Sequence, residues 1–544
     1  MEEKANRIFK GELLFFSSEW KNLKKDYDWV TNPSTDFRYD IFKHWSEIPD
    51  LAKEAGDIKF VWEKSRFSYL LTILRYDYHF DKNNAEFIFS EIESWIDANP
   101  VNQGPNWRCS QEISLRIFNW CFALDYYKND KALTEERWNK IQNTIYWSLH
   151  HVYHHINFSR IAVRNNHAIT ETLFLTVSEL LFPFISETKK WAQKGRKYFE
   201  EEINYQIYDD GTFLQFSMNY HRVVIQLLSL GISISEKYDK PFSAVVYQKA
   251  YKSLNFLYQC LQEENGYLPN YGSNDGAWFF PLSDTDYRDY RPQLNSLHKL
   301  LTGAYFYQDD TLIEDFLRDD SAINKTKPIT KKYGIQSFDV GGYYICKTEN
   351  HFTFIRCGSY KDRPFQSDNL HIDVWVKGKN ILRDSGSYKY NTEEKYINYF
   401  NGTKGHNAVV VDKHSQMLKG SRFIWFYWTQ SQNAHWKETE ESYIFEGTIK
   451  AFQQLSSSAK HYRKVEINKN DTTWKVYDKI IGLDSSEKKQ IWHFDDAKID
   501  WSSTSLKEQK EMSLNSSYYG VKTEGAAKSY VFENEVETTI KYKA

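Results

Sequence analysis

The chain has 544 residues, 41% hydrophobic and 17% aromatic, with a formal net charge of −3. That length exceeds one ordinary core and implies two domains or one large superstructure. The balance of 70 basic against 73 acidic residues excludes a global field for nucleic acid or an anionic membrane, so an anionic partner needs a local basic cleft.

The N-terminus, Met1 to Arg7, has no apolar core of a leader before the short run Leu13–Phe16. No segment approaches the roughly 18 apolar residues of a membrane span. As written the sequence reads as cytoplasmic, or periplasmic should a leader precede it. From about Asp57 to Gln262 the apolar period is helical, as in Ile113-Leu115-Ile117-Phe118-Cys121-Phe122 and Val223-Ile225-Leu227-Leu228-Leu230. Short connectors such as 128–131 and 235–241 predict stacked antiparallel hairpins in a bundle, solenoid or α/α toroid. The polar stretch 319–328 ends this texture, and strand-like segments follow: 342–346, 352–356, 372–376, 408–411, 423–428, 474–477 and 536–540. The predicted architecture is therefore a helical domain over 1–330 and an antiparallel β-sandwich over 331–544. The charged runs 438–441 and 507–511 read as solvated turns or edges. Five cysteines (Cys109, Cys121, Cys260, Cys346, Cys357) lack C-x-x-C spacing, which argues for reduced thiols.

Two polar islands interrupt the helical sequence. Arg164-Asn165-Asn166-His167 opens the run from Ala168 to Leu181, and Asn219-Tyr220-His221-Arg222 opens the run from Val223 to Ile232. Singly, each is a plain helix start, with Asn165 or Asn166 as a cap and Tyr220 as a core tyrosine. Together they supply an amide, a phenol and two imidazoles, a set suited to removing a proton beside a carboxylate. Cleavage of a uronic acid glycan by β-elimination needs the carboxylate neutralised, a base at C5 and an acid at the leaving oxygen. Asn166 and His167 can donate to the carboxylate. Tyr220 can serve as base and then acid if neighbouring positive charge lowers its pKa.

Six segments occur in order: 57–66 (Asp57-Ile-Lys-Phe-Val-Trp-Glu-Lys-Ser-Arg66), Asn106–Glu112, Asn165–Glu171, Asp209–Phe213 leading to Tyr220-His221-Arg222, Arg383–Tyr390 and Gly405–Val411. This ordered set resembles the heparinase II/III-like polysaccharide lyases over nearly the whole chain. The resemblance implies an N-terminal (α/α) toroid, a C-terminal antiparallel sandwich and an anionic polysaccharide substrate. It also implies that Asn166 neutralises the uronate carboxylate and that Tyr220 is base and acid. Arg108, His221, Arg222, Tyr271 and Asn274 are the further candidates for sugar contact, with Arg108 alternatively pairing with Glu112.

The resemblance further implies one divalent cation, zinc or calcium, in the sandwich, held by Asp384 and His406, with Gln366 standing where a first histidine is expected. An amide oxygen is a poor zinc ligand, and His371, five residues on, can substitute. A catalytic histidine from the sandwich would then be His371 or His406. The i, i+4 histidines His150/His154 and His151/His155 read as packing. Two rival readings remain: a non-catalytic glycan-binding protein of surface-polysaccharide assembly, and a glycoside hydrolase using carboxylates among Asp209, Asp210 and Asp275.

Overall fold

A computed structural model describes residues 1–49, 52–317, 326–495 and 498–543. The helical part starts well before Asp57: α1 (Glu2–Phe9) leads into a hairpin of β1 (Glu12–Phe15) and β2 (Glu19–Asn22). Then come α2 (Lys59–Ser65), α3 (Tyr69–Phe80), α4 (Ala85–Ala98), α5 (Ser110–Tyr126), α6 (Glu135–Asn157), α7 (Asn166–Leu181), α8 (Thr188–Gln206), α9 (Met218–Lys237), α10 (Ala244–Cys260) and α11 (Arg291–Thr302). No described helix is long and apolar enough to cross a membrane.

Burial sorts these helices into two rings. In α7 every residue from Ala168 to Ser178 is buried, and in α9 every residue from Met218 to Ile232, so both are enclosed on all sides. In α6 burial recurs at Ile141, Ile145, Leu149, Val152 and Ile156, a single stripe with polar residues opposite. Helices α5, α7 and α9 thus pack as an inner layer, with α6, α8 and α10 outside, which is the (α/α) toroid. The linker predicted across 319–328 falls largely outside the described residues; α11 ends at Thr302 and the next strand opens at Gly334.

The sandwich begins with β3 (Gly334–Phe338), β4 (Tyr343–Lys347), β5 (His351–Arg356), β6 (Ile372–Val376) and β7 (Lys379–Leu382), followed by a short helix α12 (Glu394–Asn401) and β8 (Val409–Val411). A two-residue pair, β9 (Leu418–Lys419) and β10 (Trp425–Phe426), precedes β11 (Gln430–Glu438), β12 (Ser442–Lys450), β13 (Lys460–Asn468) and β14 (Thr473–Ile481). The last five are β15 (Lys488–Phe494), β16 (Ile499–Ser503), β17 (Lys507–Tyr518), β18 (Val521–Phe532) and β19 (Glu535–Tyr542). All named strands pair antiparallel, in one sheet of order β11-β12-β13-β14-β19-β16 and another of order β17-β18-β15-β7-β6-β5-β4-β3 with β8 beside β15. The charged run 507–511 is the start of edge strand β17, and 438–441 is the turn between β11 and β12.

Strands β4, β5 and β6 are buried at every position, which is why their sequence does not alternate. Tyr343, Ile345, Phe352, Phe354 and Trp375 join the toroid's core, whereas Tyr344, Cys346, Ile355, Ile372 and Val374 join the core between the two sheets. One sheet therefore has the toroid on one face and its partner sheet on the other. The strand predicted over 423–428 is largely irregular: Arg422 and Tyr427 take positive φ (51° and 57°) and leave only Trp425–Phe426 paired.

Candidate active site

The first island sits where α6 passes through a π-helical turn, Phe158–Val163, and reverses at Arg164 (φ 42°) into α7. Asn165 is the cap, its side chain accepting the His167 N–H at 2.9 Å. Gln215, just ahead of α9, accepts the Asn166 N–H at 2.9 Å, and Gln206 donates to Asn165 O at 2.9 Å, so this helix start is fixed against the approach to α9. The Asn166 side chain is 2% exposed and its Oδ1 has no protein partner. A buried amide oxygen left unpaired is costly, which marks it for a hydrogen-bond donor from outside the protein.

The second island opens α9. Ser217 caps it, accepting the Tyr220 N–H at 3.1 Å and donating to Ser273 O at 2.5 Å. The Tyr220 hydroxyl then meets the Tyr390 hydroxyl of the sandwich at 2.6 Å. Burial, then the Asp275 carboxylate, pushes the Tyr220 phenol well above its ordinary value of 10, opposite to the lowering expected from the sequence. The phenol is therefore held protonated. His167 moves the other way: burial lowers it below 6.5 against the opposing pull of Glu112 and Asp275, so its imidazole is neutral. The Asp275 carboxylate contributes to both shifts.

The remaining candidates are placed elsewhere. His221 is 1% exposed, lies between Phe213 and Phe256 and bonds Ser253 Oγ at 2.5 Å; it is a core histidine and makes no sugar contact. Arg222 is wholly buried over the Tyr287 and Tyr290 rings and donates to Tyr287 O and to Asn219 Oδ1. Tyr271 and Asn274 are spent on the join between the two halves: Arg356 donates to the Tyr271 hydroxyl at 3.0 Å, and Asn274 donates to Ser517 O at 3.4 Å while accepting from Tyr287 at 2.6 Å. Glu112 pairs with Arg66 at 2.8 Å, and Arg108 lies over Trp45. Asp209 pairs with Lys249 at 2.8 Å, and Asp210 accepts the Gly341 N–H at 2.9 Å, so no carboxylate pair assembles with Asp275. Gly211, which follows Asp210, has φ 91°, and a Cβ there would lie 2.1 Å from Lys252 O. His150 and His154 face each other at 4.3 Å and His151 and His155 at 4.4 Å, packed with Trp191 and Trp45.

A phenol pair and an unpaired amide shared by an α/α toroid and an antiparallel sandwich fit what the family models match. The Heparinase II/III N-terminus model covers residues 8–271 and the Heparinase II/III-like, C-terminal model covers residues 330–541. The chain belongs to the heparinase II/III-like family. It is 22% identical over 453 residues to a heparin-sulfate lyase of Bacteroides thetaiotaomicron, covering 73% of this chain and 59% of that protein. With the heparin-sulfate lyase of Pedobacter heparinus it shares 20% over 358 residues, 63% of this chain and 50% of the relative. The chain thus spans about half the length of these relatives. In fold it is similar to the crystal structure of Heparinase III (TM-score 0.66, 15% identity, 92% of this chain and 79% of that one). It is also similar to heparan sulfate lyase HepC from Pedobacter heparinus (TM-score 0.61, 16% identity, 100% and 83%).

The heparinase II/III-like sandwich carries the cation expectation, and here His371, Asp384 and His406 do converge, all wholly buried, with candidate ligand atoms within 4.8 Å of one another. Gln366 donates its amide to Gly386 O and Phe400 O at 3.3 and 3.1 Å, and its Oε1 is buried without a protein partner. His406 Nδ1 lies 3.0 Å from Asp384 Oδ2, and Asp384 outweighs burial to raise His406. His371 Nδ1 accepts the Asn407 N–H at 3.0 Å, and burial brings the ring down to about 4, so it is neutral. A neutral ring whose lone pair is at Nδ1 carries its proton at Nε2. His371 Nε2, 3.8 Å from both Asp384 and Asp373, is thus an N–H donor and has no lone pair for a metal. His406 Nε2 and Gln366 Oε1 are nevertheless buried without a protein partner, so with Asp384 they are the atoms that would hold a cation, while the Asn407 N–H on Nδ1 opposes His371 as a ligand. With no exposure to solvent neither His371 nor His406 reaches a substrate.

Sequence reasoning missed Tyr390, although it ends the segment Arg383–Tyr390. It also weighed Asp275 only as one of a hydrolase's carboxylates. Nothing local distinguishes either one: Tyr390 is defined by the Tyr220 that the toroid brings to it, and Asp275 by distant toroid residues such as Lys59 and Asn219.

Proposed function

We propose that the protein is a polysaccharide lyase that cleaves a uronic-acid-containing, glycosaminoglycan-like polysaccharide by β-elimination. The observation that carries this reading is the Tyr220–Tyr390 hydroxyl pair at 2.6 Å, formed between toroid and sandwich at the same Asp275 that acts on His167. The heparin-sulfate lyases among its relatives point to a sulfated glycosaminoglycan as the first substrate to try.

In this mechanism the uronate carboxylate takes the Nδ2–H group of Asn166 as donor, which supports negative charge as the C5 proton leaves. The neutral His167 imidazole accepts that proton, since its lone pair is available across the physiological range. Tyr220, held protonated, gives its proton to the C4 oxygen as the C4–O bond breaks and C4=C5 forms. Tyr390 hydrogen-bonds the phenolate left behind, and proton return from His167 through solvent resets the pair. No step passes through a metal ion.

The test is ultraviolet absorbance of the unsaturated uronate product on incubation with heparan sulfate, hyaluronan, alginate and bacterial capsule glycans. Absorbance with at least one glycan, lost in Tyr220→Phe, is expected. Silence on every anionic glycan would return the protein to a glycan-binding role.

A further inference from the structure

The segment 57–66 recurs in the family-like pattern, yet the proposed chemistry uses none of it. Its first residues converge with the far end of the chain. The turn joining β17 to β18 reaches onto the toroid, and Tyr519 at its tip is 2% exposed. The Tyr519 hydroxyl donates to Asp57 Oδ2 at 3.0 Å and accepts from Lys59 Nζ at 3.2 Å and from the backbone N–H of Tyr390 at 3.3 Å. Its hydrogen-bonding capacity is thereby filled by three partners from two segments. Lys59 Nζ lies 4.2 Å from the Tyr390 ring centre and 4.3 Å from that of Tyr519, with Asp57 and Asp275 carboxylates at 3.8 and 3.9 Å. The tip is hooked down independently: Ser18 donates to Tyr519 O at 2.8 Å, Asn270 to Ser516 O at 2.9 Å, and Tyr518 to Asp286 at 2.8 Å.

We propose that Tyr519 is a positioning residue of the lyase site: with Asp57 and Lys59 it holds the backbone and ring of Tyr390 so that the Tyr390 hydroxyl meets Tyr220. The inference rests on the lyase reading for its kinetic consequence and on the hydrogen bonds alone for its structural one. A phenyl ring at 519 keeps the packing against Phe16 and Tyr390, whose ring centres lie at 5.0 and 5.7 Å. It leaves the Tyr390 N–H, Lys59 and Asp57 each without one partner, so Tyr390 is released while the core stays filled. The tie from Tyr518 to Asp286 lies at the same tip but touches neither phenol of the pair, which makes Tyr518→Phe the matched control.

The experiment compares Tyr519→Phe with Tyr518→Phe in the full chain, by steady-state kinetics on heparan sulfate and by 19F resonance of 3-fluorotyrosine placed at position 390. Tyr519→Phe is expected to lower kcat about tenfold with KM changed less than about twofold, and to shift the 390 resonance. Tyr518→Phe leaves both as in the parent. An unshifted resonance in Tyr519→Phe, or equal losses of kcat in the two variants, overturns the proposal. If the parent protein cleaves nothing, the lyase reading fails and the 19F comparison still decides whether Tyr519 positions Tyr390.

Discussion

Asn166 and Gln215 are joined by a single hydrogen bond, backbone N–H to side-chain oxygen at 2.9 Å, that spans the starts of the two inner helices α7 and α9. Through it the residue that would face the carboxylate and the helix that carries Tyr220 share one alignment. The bond uses the Asn166 backbone, so its amide remains free for a substrate.

Replacing that amide should therefore cost chemistry more than stability. For Asn166→Ala, kcat/KM is expected to fall about 10²- to 10³-fold, as for loss of one donor to a developing oxyanion, while the thermal midpoint stays near that of the parent. An Asn166→Ala enzyme retaining half its activity would remove this residue from the mechanism.

Tyr220→Phe keeps the ring and deletes the acid. We expect kcat to fall about 10²- to 10⁴-fold, measured as the initial rate of unsaturated product, with Tyr390→Phe losing less because it acts on Tyr220 and not on the leaving oxygen. The reverse order of severity would make Tyr390 the proton donor.

The pH profile has a definite sign. His167 must be neutral to accept a proton, and its pKa is lowered, so the acidic limb of kcat/KM lies below 6.5. Tyr220 must be protonated to donate, and its pKa is raised, so the alkaline limb lies above 10. A rate that climbs through pH 8 to 10 would instead signal a phenolate base, and the roles of the two residues would have to be exchanged.

Chelation is expected to leave the sandwich untouched. Because His371 presents an N–H at Nε2 and the Gln366 amide oxygen is a poor zinc ligand, protein dialysed against EDTA should keep its thermal midpoint, and elemental analysis should find well under one zinc per chain. One tightly held equivalent, with a midpoint that falls when it is stripped, would show that Asp384, His406 and Gln366 hold a metal.

The deepest charge in the sandwich is structural. Arg463 and Asp478 are wholly buried and paired in fork geometry at 2.7 and 2.6 Å, and Arg463 also donates to Leu370 O and Asn407 O, either side of the His371 cluster. Asp478→Ala leaves the guanidinium uncompensated and should cost about 3–5 kcal/mol in chemical denaturation. A loss under about 1 kcal/mol would mean that water takes the place of the carboxylate.

The fold was legible where periodicity reflects a single environment. The helical stripe of α6 and the alternating burial of β13 and β14 declare themselves, and the pairing of toroid with sandwich follows from where one texture gives way to the other. Positions 423–428 misled because aromatic, β-prone residues there serve ring packing: Phe423 lies beside Phe365 and Tyr390 at 5.1 and 5.5 Å. For the site, Asn166, His167 and Tyr220 were visible as polar residues in apolar helix. His221 and Arg222 carried the same signal and proved to be core groups, because a polar island shows that burial is compensated without showing by what. The direction of the Tyr220 shift was not legible, since it depends on Asp275, 55 positions away (275 − 220).

The hooked turn at Tyr519 also fixes when the site can exist. Its bonds to Ser18, Lys59 and Asp57 close loops of 501, 460 and 462 residues, among the longest the chain can make. In a nascent chain the last toroid helix, α11, is synthesised long before the hairpin that seats Tyr390. An incomplete chain that stops short of β18 therefore lacks the hairpin that seats Tyr390, and with it the geometry of the candidate site.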